Sequence, residues 1–150
     1  MPSQYDDRLL RGLAPVSLDA ISALTYECFI WTAPGRHLGG LISFHGTYHY
    51  GFGGTEDALF IKWRTSEFCD LKEPGRIEGL IVDFRDMDYR WGDDLYVPAS
   101  RLRRGKRPIR IVVDPGQVDA YASILETDEL RTDLDVAATE VNEILRGLRL

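Results

Sequence analysis

The chain has little cysteine, no long apolar run and no excess of positive charge. Each absence removes a class of function. Its two cysteines, Cys28 and Cys69, lie far apart in apolar surroundings, with no CxxC pair and no Cys/His ligand set. They read as buried free thiols, not as a disulfide framework or a zinc site. No stretch approaches the roughly 20 apolar residues that cross a bilayer. The opening Met1-Pro2-Ser3-Gln4-Tyr5-Asp6-Asp7 is polar and acidic, unlike a secretory leader, so a cytoplasmic location with no membrane partner is expected. The net charge of −6 disfavours a general nucleic-acid binder, which is usually basic. Nucleophile signatures are missing too: there is no G-x-S-x-G elbow, and neither cysteine stands beside an evident base.

What remains is ordinary globular material. Hydrophobic residues make up 44% of the 150 and charged residues 28%, which fits one domain with one core over 1–150. Residues 1–20 read as irregular, with a short helix near Leu18–Leu24. Thr25–Thr32 is rich in aromatic and β-branched residues and predicts a strand. Pro34-Gly35 breaks it. Leu41–Tyr50 predicts the next strand, with Ile42, Phe44, Tyr48 and Tyr50 on one face and Ser43, His45, Thr47 and His49 among those on the other.

Glycines 51, 53 and 54 make a turn. Thr55 then reads as the cap of a helix that carries Glu56 and Asp57 in its first turn and buries Phe60, Trp63 and Phe68. Glu73-Pro74-Gly75 ends that unit. The run Ile77–Phe84 lacks alternation and predicts a central strand covered on both faces. Asp93 or Asp94 is expected to cap a short helix toward Arg104, with Pro98 in its first turn or at its start. Ile109–Val113 predicts another inner strand. Asp114-Pro115 opens a helix with Val118, Tyr121 and Leu125 on one face. A short strand near Leu134 precedes a last helix over Asp135–Leu148, striped by Ala138, Val141, Leu145 and Leu148. Inner strands alternating with helices predict an α/β domain, with helices packed on a mixed sheet of about four to five strands.

The stretch Gly79–Leu95 resembles the core of STAS domains of the anti-sigma-factor antagonist type. An apolar strand ends in Asp83, and Leu95 takes the place of the apolar residue that opens the following helix. Arg107–Pro115 looks like the next strand and helix start of that family, and Asp128–Glu143 like its closing strand and helix. The likeness spans residues 40–147. It implies a STAS-like fold and a habit of binding proteins. It does not carry the family's phospho-switch, because the phosphorylatable Ser or Thr would fall near Gly92 or Asp93, and neither has a hydroxyl.

Several groupings invite chemistry. Asp83, Asp86, Asp88, Asp93 and Asp94 gather after the central strand, where α/β sheets meet ligands. Carboxylates suit hard cations, but caps and turns favour Asp on their own, so no metal is expected. Tyr89, Trp91 and Tyr96 flank those acids as core anchors or as contacts for a partner. His45 and His49 share a face, but four residues along a strand separate their backbones by about 13 Å, too far for one ion. The Gly51–Thr55 turn lacks the ending of a phosphate-binding loop. Arg101, Arg103, Arg104, Lys106, Arg107 and Arg110 crowd one stretch, as a solvated helix end or a patch steering an acidic partner.

The expected function is a non-enzymatic, regulatory protein–protein interaction module without cofactor. Asp88, Tyr89, Trp91, Asp93, Asp94 and Tyr96 are the expected partner-binding residues. Asp93 or Asp94 would stand in for phosphate charge. The partner would be a protein with a basic surface, such as a regulatory kinase-like protein. Two alternatives stand beside this: an immunity protein that neutralises a toxin, and a small enzyme using the acidic loop.

Overall fold

A computed structural model describes residue 12 and residues 14–49, 52–90 and 94–148 of the chain. Five strands form one sheet in the order of the chain: β1 (Thr25–Thr32), β2 (Leu38–Thr47), β3 (Gly79–Asp88), β4 (Ile109–Val112) and β5 (Leu130–Arg131). β1 runs antiparallel to β2, and every later neighbour pair is parallel. The sheet is therefore mixed, and the fold is α/β, as the alternation of elements predicts. β3 is its middle strand.

Parallel neighbours need crossovers, and three helices supply them: α1 (Phe52–Cys69), α2 (Ser100–Arg104) and α3 (Val118–Ala122). All three contribute to the larger core. α1 buries Ala58, Ile61, Thr65 and Phe68, a stripe at helical spacing. Leu102 of α2 and Tyr121 of α3 join it, against Ile42, Phe44, Leu80, Val82, Phe84, Ile109 and Ile111 of the sheet. The fourth helix, α4 (Leu134–Arg146), covers the opposite face through Ala137, Val141 and Leu145, packed on Ile81 and Val112. Asp133 caps it by accepting from the backbone N–H of Asp135 and Val136.

A bulge divides β3. Ser43 pairs with Asp83 but His45 with Asp86, so Phe84 and Arg85 together oppose Phe44. The extra residue shifts the alternation. Leu80, Val82 and Phe84 face α1 before the bulge, and Met87 and Tyr89 do so after it. Asp83, Asp86 and Asp88 stay on the α4 side.

Several element bounds differ from those read from sequence. β2 begins three residues earlier and ends at Thr47, and β3 continues to Asp88 instead of stopping at Phe84. α1 starts at Phe52, which places Thr55 inside the helix and not at its cap. α2 starts only at Ser100, behind Ala99, so Asp94 does not cap it. The closing short strand is Leu130–Arg131, before Leu134.

Candidate functional site

The C-terminal ends of β2, β3 and β4 converge on one edge of the molecule. Gln117 ties that edge together. Its side-chain amide donates to Asp88 Oδ1 at 3.0 Å, and its carbonyl accepts from the Tyr89 backbone N–H at 3.3 Å. The Asp114 carboxylate accepts from the Gly116 N–H at 2.7 Å, the cap expected of Asp-Pro, and so orients the turn that carries Gln117. Between these elements lies a cleft of about 310 Å³ lined by Arg85, Asp86, Met87, Asp88, Asp114 and Gln117. Three of its six side chains are carboxylates.

A second cleft, of about 210 Å³, lies across the edge between α1 and the segment after β3, lined by Thr55, Ala58, Leu59, Lys62, Asp94 and Tyr96. The Thr55 hydroxyl donates to Asp94 Oδ2 at 3.0 Å. The Lys62 ammonium sits 5.8 Å from the centre of the Tyr96 ring, within cation–π range. Tyr96 is 45% exposed. Asp94 is thus fixed by a helix other than the one it was expected to cap.

Tyr89, read as a core anchor or as a partner contact, is the core anchor, which corrects its place among the expected partner-binding residues. It is 1% exposed, because the bulge turns it toward the larger core. There it packs between Tyr48 and Tyr121, with ring centroids 4.9 and 4.7 Å away. Burial, with Tyr89, Asp94 and Asp57 nearby, pushes the Tyr48 phenol well above its ordinary range. Trp91 and Asp93 lie outside the described residues, as does the Gly92 position weighed for a phosphosite.

Comparison with protein-family models, with curated proteins and with solved structures found no match. The site therefore rests on its own geometry.

The remaining acid of β3, Asp83, is held apart from this edge. Arg85 closes over Asp83 with two side-chain bonds of 2.9 Å, and its backbone N–H adds a third at 3.0 Å. The Asp83 pairing pushes the Arg85 guanidinium above its ordinary value. Asp83 is thereby consumed internally. His45 lies between two carboxylates, 3.2 Å from Glu27 and 3.4 Å from Asp86, each facing a different ring nitrogen. The two acids are on opposite sides of the ring, so they do not converge on one point. Among the described residues, no group of three or more His, Cys, Asp or Glu side chains could hold a metal ion.

One cluster was missed in the sequence. Asp57, in α1, is 2% exposed. It accepts from the His49 backbone N–H and faces His49 Nδ1, both at 2.8 Å, and the Ser22 hydroxyl donates to its other oxygen. A buried carboxylate with three partners is satisfied. It locks the segment before β1 and the end of β2 to α1. It also orients the half-exposed His49 ring through Nδ1. The only signal in the sequence is an acid early in a helix, and that reads equally well as dipole compensation.

The basic stretch is mostly architecture. Arg101 donates to the Cys69 and Ile77 carbonyls, at 2.7 and 2.8 Å. Arg103 pairs with Glu129, Arg107 with Glu78 and Arg110 with Glu140. Four of its six cations are used this way, which leaves Arg104 and Lys106 as exposed charges. No helix among the described residues is long and apolar enough to cross a membrane.

Proposed function

We propose that the chain is a non-enzymatic protein-binding domain that presents its strand-end edge to a basic surface on another protein. One observation carries the reading: the carboxylates of Asp86, Asp88 and Asp114 line one cleft of that edge, and Asp94 lines a second one together with the exposed aromatic ring of Tyr96. Aromatic anchors ringed by charge supply the energy and the steering of many interfaces. The arrangement also fits a regulatory module of the STAS-like kind that works without a phosphosite, with Asp94 as a fixed charge next to the position where that family would carry phosphate. The reading retains Asp88, Asp94 and Tyr96 as contacts and leaves Tyr89 to the core.

The test is capture of partners from the native cell on immobilised wild type and on the Asp88→Asn/Asp94→Asn/Tyr96→Ala variant, each verified as folded by circular dichroism. A basic protein retained by wild type in low salt, and lost on the variant, is the expected result. Equal retention on both overturns the reading.

The same edge supports a more specific version, in which the domain is an immunity protein plugging the basic active site of a toxin. The acids stand at the C-terminal strand ends, while the exposed charges Arg104, at the end of α2, and Lys106, in the turn that follows, precede β4. That polarity suits a cationic cleft. A retained partner that kills cells when expressed alone, and spares them when coexpressed with this chain, would favour this version over the regulatory one.

A further inference from the structure

β1 is one margin of the sheet, and no described strand lies beyond it. Its inner side pairs with β2 over all eight residues without a bulge. Its outer backbone groups therefore face outward. Sheets ordinarily protect such margins with short strands, proline, lysine or bulges. The opposite margin follows that rule, since β5 is two residues long. β1 follows none of it. The sequence Thr-Tyr-Glu-Cys-Phe-Ile-Trp-Thr has no proline, glycine or lysine, and its one charge, Glu27, is engaged by His45. Tyr26, Phe29 and Ile30 are 40, 50 and 39% exposed, Tyr26 and Ile30 on the α1 face and Phe29 on the α4 face.

We propose that β1 pairs antiparallel with β1 of a second copy, about a two-fold axis through Cys28, joining two five-stranded sheets into one of ten strands. This inference is independent of the partner-binding edge, which lies at the strand ends. The strand is its own complement. A two-fold axis normal to the sheet leaves every residue on its own face, so only residues of the same face meet across the join. Centred on Cys28, Tyr26 meets Ile30 of the second copy, and Ile30 meets its Tyr26. On the other face Glu27 meets Phe29, and Thr25 meets Trp31. Aromatic against β-branched is a favourable cross-strand pair. The lone acid does not meet its own copy, so the join contains no directly opposed like charges. A centre one residue further, on Phe29, would set Tyr26 against Thr32 and lose the match.

The Cys28 centre makes the proposal easy to read out. Directly opposed residues of an antiparallel pair lie about 4.5–5.5 Å apart at Cα, inside the window for a disulfide. Cys69 is buried, so a cross-link between folded copies forms through Cys28.

The experiment is light scattering on the eluting full-length chain at tens of micromolar, with brief copper–phenanthroline oxidation as a second readout. Wild type is expected at twice the chain mass and to give a disulfide-linked dimer that Cys28→Ser abolishes without changing the mass in solution. Ile30→Lys, and Phe29→Lys on the other face, are expected to weaken self-association at least tenfold while leaving the circular dichroism spectrum unchanged. A monomeric wild type, a dimer indifferent to both lysine variants, or a dimer that does not cross-link through Cys28 overturns the proposal. Retention of partners by folded Ile30→Lys would show that the two surfaces stand or fall separately.

Discussion

Tyr121 lies flat against Phe84, with ring centroids 5.5 Å apart and planes 4° from parallel. The pair joins α3 to the middle strand beside the bulge, where both side chains are fully buried. The Tyr121 hydroxyl reaches the Met87 carbonyl only at 3.4 Å, so the ring and not the hydroxyl carries the contact. Tyr121→Ala should cost about 3–5 kcal/mol, the range for emptying an aromatic site. Tyr121→Phe should cost less than about 1 kcal/mol. Urea unfolding of the two variants checks the contrast, and equal losses would refute it.

Asp57 should behave as a structural hub. Asp57→Ala strips acceptors from the His49 N–H, the His49 ring and the Ser22 hydroxyl together. A loss of about 1–3 kcal/mol is expected from the unpaired buried groups. Ser22→Ala removes one partner and should cost clearly less. Hydrogen exchange at the His49 amide should accelerate in Asp57→Ala and stay slow in Ser22→Ala.

Glu140 sets an acid dependence. The Arg131 side chain, bonded at 2.7 Å, and Arg110 at 3.2 Å hold its carboxyl below the ordinary carboxylate value despite partial burial. A carboxyl lowered in the folded state binds its proton more readily when unfolded. Its contribution is therefore complete above the unfolded value near 4.5 and is lost as pH falls through the lower folded value. Glu140→Gln should cost about 0.5–1 kcal/mol at neutral pH. The difference from wild type should shrink toward zero in strong acid, as read from urea midpoints across pH.

Gly39 is a packing requirement. A Cβ there would stand 2.2 Å from the Trp31 ring, which is seated by its indole N–H on Asn142 of α4 at 2.9 Å. Gly39→Ala should cost about 1–3 kcal/mol by overpacking and shift the tryptophan emission. In a Trp31→Ala background the same change should cost much less, because the two sites share one volume.

Cys69 should be silent toward thiol reagents in the folded chain. Burial, set against the nearby Arg101, pushes its thiol up to about 11. In Cys28→Ser, labelling at neutral pH should track unfolding and not the reagent concentration.

Much of the fold was legible because its signals are local. Thr25–Thr32 appears as a strand with the bounds that its aromatic and β-branched run predicts, and Asp114-Pro115 caps its turn as the residue types require. The unalternating Leu80-Ile81-Val82 run is covered on both faces, as expected of a middle strand. The continuation to Asp88 was not legible. Arg85-Asp86-Met87-Asp88 looks like a polar loop unless the bulge is known, and no glycine marks it. The same shift hid the burial of Tyr89. Asp94 and Asp57 were misread for another reason. Their partners, Thr55, His49 and Ser22, come from other segments, and pairings of that kind leave no periodic trace in a sequence.

The bulge in β3 also constrains how this chain can change length. Elsewhere in a buried strand, adding or removing one residue inverts every side chain beyond it. Here the inversion has already been built in. Deleting Arg85 would restore regular pairing, with Asp86 still opposite His45, and leave Met87 and Tyr89 facing the aromatic core. Regular pairing with Arg85 retained would instead swing both out and drive Asp86 and Asp88 in. Arg85, bonded to Asp83, is thus a spacer whose loss the far end of the strand would tolerate, while a single deletion beyond the bulge would turn that end over.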